Sequence, residues 1–215
     1  MQTISNQYQY VYLDNVSSHH HTYLISPLLE MLFERELSCQ QKLRVLDLGC
    51  GNGSLSHLIA QQGYEVVGVE DSEQGVAIAR QSFPDCQFIH ASVYELPYAQ
   101  LENSFDIVIS AEVIEHLLYP RELVRAAKKC LKPNGRLILT TPYHGYLKNL
   151  VLALSGKMDT HLNPLWDGGH IKFFSVSTLT QLLETEEYKD IKFKFSGRTP
   201  FLWKSMLCSS SPDYI

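Results

Sequence analysis

The chain has 215 residues, 45% of them hydrophobic, and a net charge of −5. That size suits one domain that buries a core without disulfide or metal staples. The mildly acidic balance, with no run of basic residues, counts against avid binding to long nucleic acid, and no apolar stretch approaches the roughly 20 residues needed to span a membrane.

Residues 1–14 are polar and rich in tyrosine and read as a loosely ordered arm. His19, His20 and His21 follow. Adjacent histidines on an extended strand point in opposite directions, so they make a poor metal site. Residues 23–37 carry Ile25, Leu28, Leu29, Leu32 and Phe33 at helical spacing, with Pro27 expected in the first turn. From residue 42 the pattern alternates. Strands are expected at 44–48, 65–69, 86–89, 106–110 and 137–141, and helices at 54–62, 73–83 and within 121–131. Such alternation predicts an open parallel sheet. After Pro142 the rhythm breaks. Residues 143–169 hold one short helical stretch among turn residues, placed to cap a crevice at the strands' carboxyl ends. Residues 175–183 read as a capped helix, and 191–195 with 201–207 as a closing strand pair. The whole is read as one domain over 1–215, with an arm and helix at 1–40 and a cap at 143–170. Cys39, Cys50, Cys86, Cys130 and Cys208 lack C-x-x-C spacing, and no leader pattern opens the chain, which suits a reducing cytoplasm.

The glycine loop speaks to chemistry. Gly49, Gly51 and Gly53 stand between a strand and a helix, and Glu70 ends the next strand about 20 residues on. Bare backbone lets a ligand approach, and a carboxylate offers two acceptors to a ribose hydroxyl pair. A nicotinamide or flavin site wants G-x-G-x-x-G, but Ser54 stands where the third glycine would be; no Walker lysine follows. Asp47 would repel phosphate and could face a cation.

LDLGCGNG, followed in order by VGVED, SFDIVISAEVIEHL and LKPNGRLILTTP, resembles the class I S-adenosylmethionine-dependent methyltransferases over roughly residues 40–145. The resemblance implies a Rossmann-like α/β fold. Its seven-stranded, mostly parallel sheet has helices on both faces, an N-terminal helix, a cap after the fifth strand and an antiparallel last strand. It implies S-adenosylmethionine over Gly49, Gly51 and Gly53, with Asp47 near its ammonium group and Glu70, followed by Asp71, at its ribose. Ser92 and Val93 would meet the adenine; many members carry Asp at the position of Ser92. Ser110 would lie near the methionine end.

Glu112, Glu115 and His116 are spaced i, i+3, i+4, which on a helix is one face. Two carboxylates and an imidazole suit a divalent cation. This E-x-x-E-H resembles the ubiquinone-biosynthesis O-methyltransferases and the small-RNA 2′-O-methyltransferases. In both groups it is linked to a metal, and His170 matches the later histidine of the RNA group, with His144 and His161 as competitors. Carboxylates in a first helical turn are also favoured by the helix dipole alone. The metal-free reading is therefore preferred, with His116 lining the pocket floor. His170, His144 and the Glu112, Glu115 and His116 group are the candidates for deprotonating an acceptor. Tyr143, Tyr146, Trp166, Phe173 and Phe174 would wall an aromatic pocket or simply pack. The expected function is methylation of a small aromatic or quinone-like metabolite at a hydroxyl. RNA-terminal methylation and a non-catalytic cofactor-binding role are the alternatives. Nothing in the sequence signals an oligomeric state.

Overall fold

A computed structural model describes residues 12, 21–33, 42–197 and 199–214. The arm apart from Tyr12, together with His19, His20, Cys39, the end of the first expected helix and the side chain of His21, lies outside the described residues.

Seven strands form one sheet: β1 (Arg44–Leu48), β2 (Glu65–Glu70), β3 (Gln87–His90), β4 (Phe105–Ala111), β5 (Leu131–Pro142), β6 (Tyr188–Ser196) and β7 (Ser205–Pro212). Their order is β3-β2-β1-β4-β5-β7-β6. β1 pairs in parallel with β2 and β4, β2 with β3, and β4 with β5; β7 runs antiparallel to β5 and β6. The order reverses between β1 and β4, the kind of switch point beyond whose strand carboxyl ends open α/β sheets hold their ligands.

The two-residue period of the strands splits their side chains between two cores. Val45, Val66, Ile107, Ile109, Ile138 and Leu207 point to one face. Leu46, Leu48, Val67, Val69, Val108, Leu137, Leu139, Met206 and Cys208 point to the other. Because both faces are covered, the strands read as near-continuous apolar runs. The first face is covered by α1 (His21–Phe33) and α2 (Ser54–Ala60). α3 (Glu73–Ser82) sets Val76 and Ala79 against Phe88. On the second face lie α4 (Tyr98–Leu101), α5 (Pro120–Cys130) and α8 (Val176–Thr185). α8 starts where expected: Ser175 and Thr178 form a reciprocal capping box. The cap carries two short helices rather than one, α6 (Tyr146–Leu154) and α7 (Met158–His161). Among the described residues no helix is long and apolar enough to cross a membrane.

Three local expectations need correction. The buried stripe of α1 is Leu24, Leu28, Met31 and Leu32, while Phe33 is exposed. The helix is rotated so that the i, i+4, i+7, i+8 set meets the sheet. Pro27 sits inside α1, not in its first turn. It has no N–H for the Tyr23 carbonyl, and the Ser196 hydroxyl donates to that carbonyl instead, at 2.6 Å. The last strand begins at Ser205, not at 201. Phe201 has φ 64° and Trp203 stacks on Phe195 with centroids 4.4 Å apart, so this stretch turns. The serine run 209–211 lies in this strand and pairs inside the sheet.

Candidate active site

The glycine loop is shaped by backbone that a side chain would strain: Gly49, Gly51 and Gly53 have φ of 81°, 57° and 80°. The amides of Gly49 and Cys50 both donate to the Val69 carbonyl, at 2.8 and 3.0 Å, folding the loop across the end of β2. A Cβ on Gly49 would lie 2.5 Å from Cγ2 of Val113. The first glycine therefore admits the turn that carries the two glutamates. Gly53 faces inward, where a Cβ would meet Phe88 at 2.7 Å and Ala79 at 2.8 Å.

Two buried acids flank this loop. Glu70 accepts from the Gly51 amide through Oε2 and from the Ser72 amide through Oε1, both at 2.9 Å. Burial raises its pKa. Asp47 accepts from the Ser56 hydroxyl at 2.6 Å through Oδ2, while its buried Oδ1 has no hydrogen-bond partner among the described residues. Burial lifts the Asp47 pKa to about 6, and the charge of Glu70 adds to the rise. Two adjoining carboxylates repel a pyrophosphate and suit a cationic ligand. The orphaned Oδ1 fits a cofactor that carries an ammonium and a sulfonium.

The other cofactor candidates stand at or just past the carboxyl ends of β2, β3 and β4, with different commitments. The Asp71 side chain is exposed, and its carbonyl accepts from His90 Nε2 at 3.0 Å. Ser92 Oγ accepts from the Tyr94 amide at 3.4 Å, and Val93 is buried. The Ser110 hydroxyl donates to the Leu48 carbonyl at 2.8 Å, tying β4 to the end of β1.

The expected helix face of Glu112, Glu115 and His116 does not form. Glu112 lies beyond β4 with φ 55°, and only Ile114–His116 makes a single 3-10 turn. Glu112 therefore turns away from its partners. Its Oε1 accepts from Thr140 Oγ1 at 2.8 Å and its Oε2 from Ser205 Oγ at 3.3 Å. Burial raises its pKa to about 7. Glu115 is fully buried; Thr141 Oγ1 donates to its Oε2 at 3.1 Å, and its Oε1 has no hydrogen-bond partner among the described residues. Burial first, and the nearby Glu112 second, push its pKa well up.

The cap returns to this turn by backbone hydrogen bonds. Ile171 and Lys172 donate their amides to the Glu115 carbonyl, at 2.9 and 3.0 Å. That brings His170 Nε2 to 4.0 Å from Glu115 Oε1 and its ring centroid to 4.8 Å from that of His116. His116 Nδ1 lies 2.8 Å from the Gly168 carbonyl. A carbonyl only accepts, so the proton sits on Nδ1 and the lone pair on Nε2. Ligand atoms of Glu115, His116 and His170 all lie within 4.8 Å of one another. Ligands at about 2.1 Å from one ion stand about 3.4 Å apart, so a small contraction would close the group on a cation. Glu112 is outside it.

His144 lies elsewhere under the cap. Its ring is 5.0 Å from Phe173 and 5.5 Å from His161, and burial, with Lys148 adding, lowers its pKa to about 4. The Lys148 amine donates to the Tyr143 carbonyl at 2.8 Å and is pushed down to about 8 by burial. The aromatic candidates separate. Trp166 packs 5.2 Å from His170 and Phe173 beside His144, while Tyr143 packs edge-to-face against Phe195 and Trp203. Phe174 joins the core and Tyr146 is 90% exposed. Sequence reasoning missed Thr140, Thr141, Ser205 and Lys148. Nothing in their local pattern separates them from ordinary strand and helix residues.

A family model described as a methyltransferase domain matches residues 17–192. The chain is 32% identical to the ubiquinone biosynthesis O-methyltransferase of Aromatoleum aromaticum over 172 residues, 76% of this chain and 73% of that protein. It is 29% identical to the mitochondrial ubiquinone biosynthesis O-methyltransferase of Schizosaccharomyces pombe over 72% of this chain, but spans only 58% of that protein. Among solved structures, magnesium protoporphyrin IX methyltransferase from Synechocystis PCC 6803 with bound SAH superposes with a TM-score of 0.66 at 22% identity, covering 90% of this chain and 84% of that one. A Pyrococcus horikoshii OT3 protein gives a TM-score of 0.68 at 21% identity, covering 93% of this chain and 94% of that one. Sheet order, glycine loop and family match agree: the chain belongs to the methyltransferase-domain family, on the Rossmann-like fold of the class I S-adenosylmethionine-dependent enzymes.

Proposed function

We propose that the protein transfers the methyl group of S-adenosylmethionine to a hydroxyl of a small aromatic or quinone-like metabolite. The observation that carries this reading is the packing of Val113 onto Gly49. It sets the acid and histidine turn directly against the cofactor loop, so an acceptor group there is adjacent to the donor. The ubiquinone O-methyltransferase relatives support the acceptor class.

When bound, the cofactor supplies a methyl group on a positive sulfonium, a good leaving group. This chain's residues bind, orient and move a proton. Asp47 Oδ1 accepts from a cationic group, and Glu70 accepts from ribose hydroxyls while holding the Gly51 and Ser72 amides. Trp166 and Phe173 exclude water beside the histidines. His170 Nε2 is the favoured acceptor of the hydroxyl proton. His144, with its pKa near 4, is the weaker base. Incubation with methyl-labelled cofactor and a panel of catechols should give a labelled ether. Label confined to other acceptor classes, or to none, overturns the proposal.

One observation favours a second reading of the same turn. Glu115 Oε1 is buried without a hydrogen-bond partner among the described residues and faces two imidazoles. Burying such an oxygen is costly unless a cation or proton answers it. Glu115, His116 and His170 would then hold a divalent cation that acidifies the acceptor hydroxyl. Activity abolished by chelation and restored by Mg, Mn or Zn supports this; full activity after exhaustive chelation overturns it.

A further inference from the structure

A tyrosine from the N-terminal arm sits in the cofactor loop. A Cβ on Gly51 would lie 2.9 Å from the Tyr12 hydroxyl oxygen and 3.0 Å from its Cε1. A Cβ on Gly75 would lie 2.9 Å from both Cδ2 and Cε2 of the same ring, and 3.1 Å from the Gly51 carbonyl oxygen. The ring therefore fills the slot between the loop and the first turn of α3. That slot is organised around Glu70, which holds the Gly51 and Ser72 amides, while the Ser72 side chain caps α3 by accepting from the Gly75 amide at 3.2 Å.

Gly75 gives an independent reason to take this contact seriously. It lies within α3 and has no positive φ, so its backbone would accept alanine. A glycine inside a helix costs about 1 kcal/mol relative to alanine. The structure accounts for it by approach: any side chain there meets the Tyr12 ring. Two glycines, one in the loop and one in the helix, thus leave room for one aromatic ring.

The geometry points to Tyr12 as a positioning residue for the cofactor. Its ring braces Gly51 and the start of α3 around the Glu70 carboxylate, holding in register the groups that meet the cofactor's ribose. This rests on the reading of residues 49–53 and Glu70 as the cofactor site. It makes Tyr12, which the sequence places in an arm outside the sheet, part of that site.

Calorimetric titration with S-adenosylhomocysteine, on the full chain, tests it. Tyr12→Ala should raise Kd about tenfold or more, whereas Tyr12→Phe, which keeps the ring, should stay within about threefold of the unaltered protein. Gly75→Ala should also weaken binding, and by much less when combined with Tyr12→Ala, because the clash then has no ring to meet. Melting temperatures recorded alongside separate local bracing from loss of fold: the Kd change should appear with the cooperative melt preserved. A Kd for Tyr12→Ala within about twofold of the unaltered protein overturns the role. So does a Gly75→Ala effect of equal size in both backgrounds. Failure of the unaltered protein to bind S-adenosylhomocysteine would instead overturn the reading of the loop, and this inference with it.

Discussion

The two sides of the proposed site, one for the cofactor and one for the acceptor, are built in opposite ways. The cofactor side comes almost wholly from one continuous stretch, residues 47–75, in which a strand, a glycine loop, a helix and a second strand follow one another. Its polar groups answer each other locally, as Glu70 does with Gly51 and Ser72. The acceptor side joins Glu112 and Glu115 after β4 to Thr140 and Thr141 on β5, His170 from the cap and Ser205 on β7. A site made from one stretch is held by the fold itself. One made from four depends on how a cap of two short helices settles, and its chemistry can change with that cap.

The largest expected effect falls where the two sides touch. Gly49→Ala would place a Cβ 2.5 Å from Val113 at a φ of 81°, straining the loop and pushing the acid turn outward. S-adenosylhomocysteine affinity should fall by roughly 100-fold, about 3 kcal/mol. An affinity within threefold of the unaltered protein would show that loop and turn are not coupled through this contact.

This contrast also explains what the sequence discloses. The proposed cofactor side stands out in the sequence because it rests on spacing: three glycines at alternate positions, then an acid at the next strand's end. The acceptor side is not. Glu112, Glu115 and His116 read as one helical face, yet Glu112 adopts φ 55° and turns its carboxylate to Thr140 and Ser205. Those hydroxyls lie 28 and 93 residues away, and no local pattern announces such partners. The same limit hid Ser196, whose hydroxyl replaces the N–H that Pro27 lacks, and the buried amine of Lys148.

Glu115→Gln sharpens the comparison. It preserves shape and an acceptor for Thr141 Oγ1 but removes the charge. If the turn holds a cation, activity should fall about 100-fold, while affinity for S-adenosylhomocysteine stays unchanged. Equal loss of both would mean that the acceptor side is not a separate unit.

Asp47 offers a pH test on the other side. Its pKa is raised from 3.8 to about 6 in the fold, so the folded state binds the proton more tightly than the unfolded state. Stability attributable to Asp47 is therefore full below about pH 4 and is lost as pH rises through about 6, by about 2–3 kcal/mol in total. Relative to Asp47→Asn, the cofactor-free protein should become less stable across that window. Saturating S-adenosylmethionine should shrink the difference if its ammonium answers Oδ1. Parallel stability curves for the two proteins between pH 4 and 7 would contradict the burial cost.

The smallest effect lies far from the chemistry and tests how the N-terminal helix is secured behind the site. Ser196→Ala removes the hydroxyl that donates to the Tyr23 carbonyl at 2.6 Å. A carbonyl left unpaired at this part-buried contact costs about 1 kcal/mol. In a Pro27→Ala background the helix regains an N–H at residue 27, which can donate to the same carbonyl four residues earlier. Ser196→Ala should then cost clearly less, and urea titrations of the four proteins would give the coupling directly. Equal cost in both backgrounds would mean that the serine is held by packing and that the proline's missing donor is answered in another way.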